Sequence, residues 1–251
     1  MEPLLITSRT NARIKHLKKL MADKEYRASC GEYVIEGRRV LDTVRSPLEI
    51  YVEENAEVPA IECRKTYRVA AQVFASLAST EHSQGVIVVA RIAIKGPDAL
   101  DPAARYILFD ALQDPGNMGS IIRTACAFGI KGVILTPGCV DPFSPKVVRS
   151  AASGIEKIDI IRIAALSELE GCTLIGADMG GKALTGFAWP SSFILAIGSE
   201  AHGLSPETRR RVSSLISIPM PGAMESLNAA VAAGILLFAA SVDPSAKDKI
   251  Q

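Results

Sequence analysis

Ile218-Pro219-Met220-Pro221-Gly222-Ala223-Met224-Glu225-Ser226-Leu227-Asn228 joins a short apolar run to the longest one in the chain, Leu227 to Val242. The residues before it, Leu215 to Ile218, predict a strand. That strand must stop at Pro219 and Pro221, because neither proline has an N–H to give to a sheet. Gly222 permits a tight turn, and a helix is expected from about Ser226 to about Ser241. The simplest reading of Ser226 and Asn228 is a helix cap. A polar Ser-Leu-Asn just past a strand end is also where α/β proteins hold ligands.

Upstream, from Tyr106, apolar runs and helical patterns alternate. The strand expectations are Tyr106–Phe109, Gly132–Leu135, Ile158–Ile163, Thr173–Gly176, Phe193–Ile197 and Leu215–Ile218. Helices are expected over Met118–Phe128, Pro145–Ala152, Leu166–Glu170 and Pro206–Val212. Short apolar strands alternating with helices imply a mostly parallel sheet covered on both faces. Two more of its strand ends carry unusual residues. Asp110-Ala111-Leu112-Gln113-Asp114-Pro115-Gly116-Asn117-Met118-Gly119-Ser120 turns through Pro-Gly into a helix, with Asn117 as its expected cap and Arg123 six residues further on. An arginine among apolar neighbours either snorkels to water or pairs with a carboxylate or phosphate. Gly198-Ser199-Glu200-Ala201-His202-Gly203-Leu204 sets two glycines around a carboxylate directly after a buried strand.

The first 95 residues read differently. A helix over residues 10–28, a strand around Tyr33–Ile35, a short helix over Gly37–Val44, a strand at Leu48–Val52, a helix at Ala70–Ala78 and a strand at Gly85–Ala90 make a small mixed α/β unit. Lys95-Gly96-Pro97-Asp98 and Asp101-Pro102 supply breakers, so the expected division is residues 1–95, a linker 96–104, and residues 105–251. The first part carries +3 and the remainder −2, within a total of +1. Seven basic residues against two acidic ones between Arg9 and Arg27 form a patch that suits phosphates or simply a solvated helix face.

Several chemistries lack their parts. Five scattered cysteines without a C-x-x-C pair suggest reduced thiols and a cytoplasmic setting. His16, His82 and His202 form no ligand pair, so no metal is expected. No run suits a membrane span. Gly176–Lys182 matches a phosphate-loop spacing, but Ala183 stands where a magnesium-binding hydroxyl belongs, which disfavours an NTPase. Neither a G-x-G-x-x-G after a first strand nor a G-x-S-x-G elbow is present.

Taken together, the three strand ends resemble the SpoU-type RNA ribose 2′-O-methyltransferases of the SPOUT superfamily. N-x-G-x-x-x-R-x-A falls on Asn117, Gly119, Arg123 and Ala125. G-x-E-x-x-G-[LM] falls on Gly198, Glu200, Gly203 and Leu204. I-P-M-x-G followed by S-L-N falls on Ile218, Pro219, Met220, Gly222, Ser226, Leu227 and Asn228. Asp141–Arg149 is similar to a further family segment. The resemblance implies a C-terminal domain with a deep trefoil knot and a small N-terminal RNA-binding domain. It implies S-adenosylmethionine held by Gly198, Ile218, Leu227, Leu135 and Met220, and catalysis by Arg123, Asn117, Glu200, Ser226 and Asn228. It also implies RNA contacts at Arg9, Arg13, Lys15, Lys18 and Arg149, and a homodimer. Structured RNA is the expected substrate, ribosomal RNA ahead of tRNA; a non-catalytic RNA-binding protein of the same fold is the rival.

Overall fold

The computed structural model describes residues 3–77, 84–223 and 226–243, apart from the side chain of Arg39. His82 and the end of the expected helix at Ala78 lie outside them. The chain forms two compact units, residues 1–93 with 141–156, and residues 94–140 with 157–251.

The first unit contains β1 (Leu4–Ile6), α1 (Ala12–Ala22), α2 (Lys24–Cys30), β2 (Glu32–Glu36), β3 (Pro47–Glu53), β4 (Lys65–Val69), α3 (Ala71–Phe74) and β5 (Val86–Arg91). Its mixed sheet runs β1-β4-β3-β5-β2, with β1, β4 and β3 parallel and β5 antiparallel to both of its neighbours. The single helix expected over residues 10–28 is two. Asp23 ends α1 and caps α2, its carboxylate accepting the N–H groups of Glu25 and Tyr26. The expected helix at Gly37–Val44 is a 3-10 turn, Arg38–Val40. Ile14, Leu17 and Leu20 of α1 pack with Tyr51, Tyr67, Phe74 and Val89.

The second unit starts with β6 (Arg105–Asp110), α4 (Pro115–Ala127) and β7 (Gly132–Leu135). The chain then passes through α5 (Pro145–Ala151), which groups with the first unit. It returns as β8 (Asp159–Arg162), β9 (Leu174–Ala183), β10 (Phe193–Gly198), α6 (Pro206–Arg211), β11 (Ser214–Ser217) and α7 (Ala229–Val242). The sheet order is β11-β9-β10-β6-β7-β8 and every pairing is parallel. All four residues of β7 are buried, as a strand covered on both faces requires. Segment Asp141–Glu156 departs from the contiguous division expected at residue 95. Asp141 accepts hydrogen bonds from buried Arg27 of α2, Nε at 2.8 Å, and Glu156 accepts the Tyr33 hydroxyl and the Arg45 N–H. On the other side of the expected linker, Lys95 bridges Ile161 on β8.

β9 is longer than its apolar core. Leu215 pairs with Gly176 but Ile216 with Lys182, so residues 177–181 leave the ladder between them. The phosphate-loop spacing therefore falls on strand and bulge, with Asp178 ion-paired to Arg209. No loop running into a helix is there to cradle a phosphate.

Candidate active site

β6 and β10 lie side by side, and Asp110 is the register partner of Gly198. From β6 the strand order proceeds to β7 and β8 on one side, and on the other to β10, β9 and β11. This is a topological switch point, where the loops leaving two neighbouring strands diverge and open a crevice. The first two motifs are those loops.

The loop after β10 is built by its glycines. Ser199 and Gly203 exchange N–H···O bonds of 3.0 and 2.9 Å, closing three residues into a tight turn. A Cβ on Gly198 would sit 2.1 Å from the carbonyl carbon of Gly203, and Gly203 itself has φ +64°. Both positions need glycine for this backbone. Leu204 is buried at the turn's exit, and Ser205 caps α6. Asp110, a carboxylate 5% exposed, accepts the Ser205 N–H at 2.6 Å. That bond ties the end of β6 to the loop after β10. Asp110 is not among the expected site residues; a charge closing the apolar run Tyr106–Phe109 was the available signal.

The turn presents Glu200, and here the motifs meet. Asn117 Nδ2 donates to Glu200 Oε1 at 2.7 Å. Asn228 Nδ2 donates to Asn117 Oδ1 at 2.8 Å. Asn228 Oδ1 accepts the N–H groups of Ala230 and Val231 at 2.9 and 3.3 Å. The helix thus fixes the polarity of the whole chain of bonds. The orphan N–H groups at the start of α7 demand an oxygen, which turns the Asn228 amide nitrogen toward Asn117. Asn117 must then offer its oxygen to Asn228 and its nitrogen to Glu200. Both amides keep a second N–H, and Glu200 keeps a second oxygen.

One cap expectation changes and the other narrows to one of its two residues. Asp114, not Asn117, caps α4 and accepts the Asn117 N–H at 2.7 Å. Asn228, not Ser226, caps α7. The reason is geometric in both cases: the cap stands one residue outside the first helical position, and Pro115 already fills that position in α4. The Asn117 side chain is thereby released to join the relay.

Ser226 is exposed two positions before the cap. Leu227 is 36% exposed and Leu135 2%; Ile218 and Met220 are half-buried. Ala111, just past β6, has φ +54° and is held by the Thr136 hydroxyl at 2.9 Å, which also bonds the Phe109 carbonyl. Burial raises the pKa of the neighbouring Cys139 thiol, which points at that same carbonyl. Arg123 is exposed and has no hydrogen bond or ion pair among the described residues. Six residues along α4 from Asn117, it sits about 9 Å further along the axis and about 120° around it, so one copy of the chain does not bring it to the relay. In the first unit, Arg9, Lys15 and Lys18 are exposed. Arg13 is engaged with Glu49 at 2.5 Å, and Arg27 of the basic run is buried against Asp141. Arg149 is exposed on α5.

A switch-point crevice fits a nucleoside-bearing donor. Such a donor needs acceptors for its sulfonium charge, and Glu200 offers one oxygen not taken by Asn117. The family comparison agrees. Residues 104–238 match the SpoU rRNA Methylase family, and the chain belongs to that family. Its members are RNA methyltransferases that use S-adenosylmethionine. The chain is 32% identical to the 23S rRNA (guanosine(2553)-2′-O)-methyltransferase RlmP of Bacillus subtilis, over 93% of this chain and 97% of that protein. The AdoMet-bound rRNA methyltransferase of Sinorhizobium meliloti superposes with a TM-score of 0.84 at 26% identity, covering 94% and 96% of the two chains. The SpoU methyltransferase AviRb of Streptomyces viridochromogenes, in complex with AdoMet, gives 0.83 at 26%, covering 92% and 97%.

Proposed function

We propose that the chain transfers a methyl group from S-adenosylmethionine to a ribose 2′-hydroxyl of structured RNA, ribosomal RNA in the first place. The Glu200–Asn117–Asn228 relay at adjoining strand ends carries this reading, since it gathers one residue from each of the three motifs. The near full-length relative that acts on 23S rRNA favours that substrate over tRNA. The relay also speaks against a non-catalytic RNA-binding role, for which nothing would require one polar residue from each motif to be aligned.

The donor supplies an already activated methyl group, so the protein's share is positioning and charge stabilisation. The second N–H groups of Asn117 and Asn228 orient ribose oxygens. Ser226 adds a hydroxyl beside them. Glu200 holds Asn117 in place through Oε1. Arg123 offers five N–H donors and no acceptor, so it is not the base. It clamps the phosphate beside the reacting ribose and stabilises developing alkoxide charge.

Arg123 reaches that position in a homodimer. Val231, Ile235, Phe238 and Val242 on α7 are 51, 37, 57 and 47% exposed. Their spacing puts them on one helix face. α4 crosses α7 where Thr124 lies 3.8 Å from a Cβ built on Gly234, so Arg123 borders this apolar face. A second copy laid on the face covers it and completes the site. The chain after β11 passes through a trefoil knot, consistent with α7 packing against α4 and β10. The first unit holds the RNA, with Arg9, Lys15, Lys18 and Arg149 at phosphates. All five cysteines are free thiols, which suits a cytoplasmic enzyme, and no helix among the described residues is long and apolar enough to cross a membrane. Mapping 2′-O-methyl groups in total RNA from cells with and without the gene tests the reading. One ribosomal ribose should lose its methyl and regain it from the purified protein. An unchanged ribosomal map refutes it.

A further inference from the structure

The first unit contains a cavity of about 550 Å³, lined by Arg13, His16, Cys30, Glu32, Glu49 and Arg64 among others. Its charged groups are only partly matched to one another. Arg13 bonds Glu49 Oε1 at 2.5 Å and lies 4.3 Å over the Tyr67 ring, while Tyr51 donates to Glu49 Oε2. That corner is complete. His16 is held between the Tyr26 hydroxyl and Glu32 Oε2, both at 2.9 Å. This leaves Glu32 Oε1 and the second lone pair of Oε2 as acceptors, and Arg64, exposed, as a donor fork, with no bond to Oε1 or to Arg64 among the described residues and none between the two side chains. Glu32 is 28% exposed on its side chain, so His16 holds it at the wall instead of letting it swing into water.

We infer that this cavity binds an unpaired guanine base of the RNA substrate. The inference rests on the RNA methyltransferase reading for the identity of the polymer. The cavity's own chemistry selects the base. A phosphate is disfavoured, because two carboxylates share the wall and Arg13 is already neutralised by one of them. A metal is disfavoured because no group of three ligand-type side chains gathers among the described residues. What fits is a flat heterocycle that presents donors to Glu32 and acceptors to Arg64. Guanine alone among the four bases carries two adjacent donors, N1–H and N2–H, next to an acceptor, O6, and its O6 and N7 take an arginine fork. The volume accommodates a nucleoside. RNA is read in sequence mainly where bases are unpaired and splayed out. The first unit therefore contributes base selectivity as well as phosphate contacts.

The test uses the full-length protein and four labelled heptanucleotides, U3-N-U3, that differ at the central base, with fluorescence anisotropy at low salt. The guanine oligonucleotide should bind about tenfold tighter than the other three. Glu32→Gln should bring all four to within about twofold. Arg64→Ala, at an exposed position that does not endanger folding, should weaken guanine binding most. Equal binding of the four by the wild type, a preference for another base, or a guanine preference that survives both substitutions overturns the inference. Methyl transfer to unmodified ribosomal RNA is assayed on the same preparations. Active wild-type enzyme without a guanine preference removes the pocket and leaves the function standing. A guanine preference without methyl transfer does the reverse.

Discussion

Asn228→Asp separates the cap of α7 from the relay. Aspartate caps a helix as well as asparagine, and its charge is favourable at a helix N-terminus. The bonds from Ala230 and Val231 are therefore kept. The donor to Asn117 Oδ1 is not, and an oxygen faces an oxygen where the bond was 2.8 Å. Asn117 can flip to satisfy the new carboxylate, but its oxygen then opposes Glu200 across the contact now 2.7 Å long. Either arrangement forfeits one hydrogen bond, worth about 1 kcal/mol to the alignment of the relay, but both contacts are exposed, so water takes up the freed groups and little of the loss reaches global stability. We expect kcat to fall about 10- to 100-fold, with binding of S-adenosylmethionine nearly unchanged and stability within about 0.5 kcal/mol of wild type. Asn228→Ala should instead lose activity and about 1 kcal/mol of stability together, because the cap goes too. The decisive variant is Asn228→Asp combined with Glu200→Gln, which permits the same relay with reversed polarity. The amide introduced by Glu200→Gln donates to Asn117, and Asn117 donates to the carboxylate introduced by Asn228→Asp. The pair should be more active than Asn228→Asp alone, with a coupling of at least about 1 kcal/mol. Tritiated methyl transfer to unmodified ribosomal RNA and urea unfolding give the two readouts. Wild-type turnover in Asn228→Asp, or strictly additive losses in the double variant, would refute the reasoning.

Phe238→Glu places a charge in the centre of the exposed α7 face. It should convert a dimer to a monomer in analytical ultracentrifugation and lower methyl transfer at least about 100-fold, while circular dichroism still reports a folded chain, because the side chain is 57% exposed. Arg27→Met should cost about 3 kcal/mol, since it leaves Asp141, 12% exposed on its side chain, without its counter-charge; Arg27→Met with Asp141→Leu should recover much of that in urea melts. Burial raises the pKa of Tyr33 and of Tyr51 far above the ordinary phenol value, with their carboxylate partners Glu156 and Glu49 adding to the effect. The folded state keeps both phenols protonated while the unfolded chain ionises them near pH 10, so stability is complete below about pH 10 and falls above it. The slope is about 1.4 kcal/mol per pH unit for each phenol. Denaturant midpoints between pH 9 and 11, with phenolate absorbance followed at 295 nm, check it; smooth titration of all five tyrosines without unfolding would contradict it.

The second unit is more legible in the sequence than the first, for a physical reason. A parallel strand buried on both faces has to be apolar throughout, so Gly132–Leu135 and Phe193–Gly198 stand out as uninterrupted runs. The first unit hides two strands. β1 is three residues long at a sheet edge, with Leu4 63% and Leu5 48% exposed. β4 carries Lys65, Thr66 and Arg68 within five residues. Neither needs an apolar run, so neither leaves one. Likewise Asp23 breaks residues 10–28 into two helices although the apolar spacing runs on across it. Period alone does not register a side chain that bonds its own backbone.

The site divides along the same line. Spacing picks out residues that the fold brings together, because a glycine that must lack a Cβ and a carboxylate three residues from its partner glycine leave a fixed pattern. It does not identify what the residues do to one another. The bonds Asn117–Glu200 and Asn228–Asn117 span 83 and 111 residues, and their direction is set by which atom of Asn228 the first N–H groups of α7 take. Local propensity misplaces the caps for the same reason: Asn117 and Ser226 are both good cap residues, and nothing in their identity says that Asp114 and Asn228 hold the better geometry. Arg123 is the instructive opposite. Its place six residues after Asn117 fixes, by helix geometry alone, that it points about 120° away. If Arg123 is the phosphate clamp we propose, a relay on one face of α4 and a clamp on another call for a second copy of the chain, for which the exposed apolar face of α7 offers a seat.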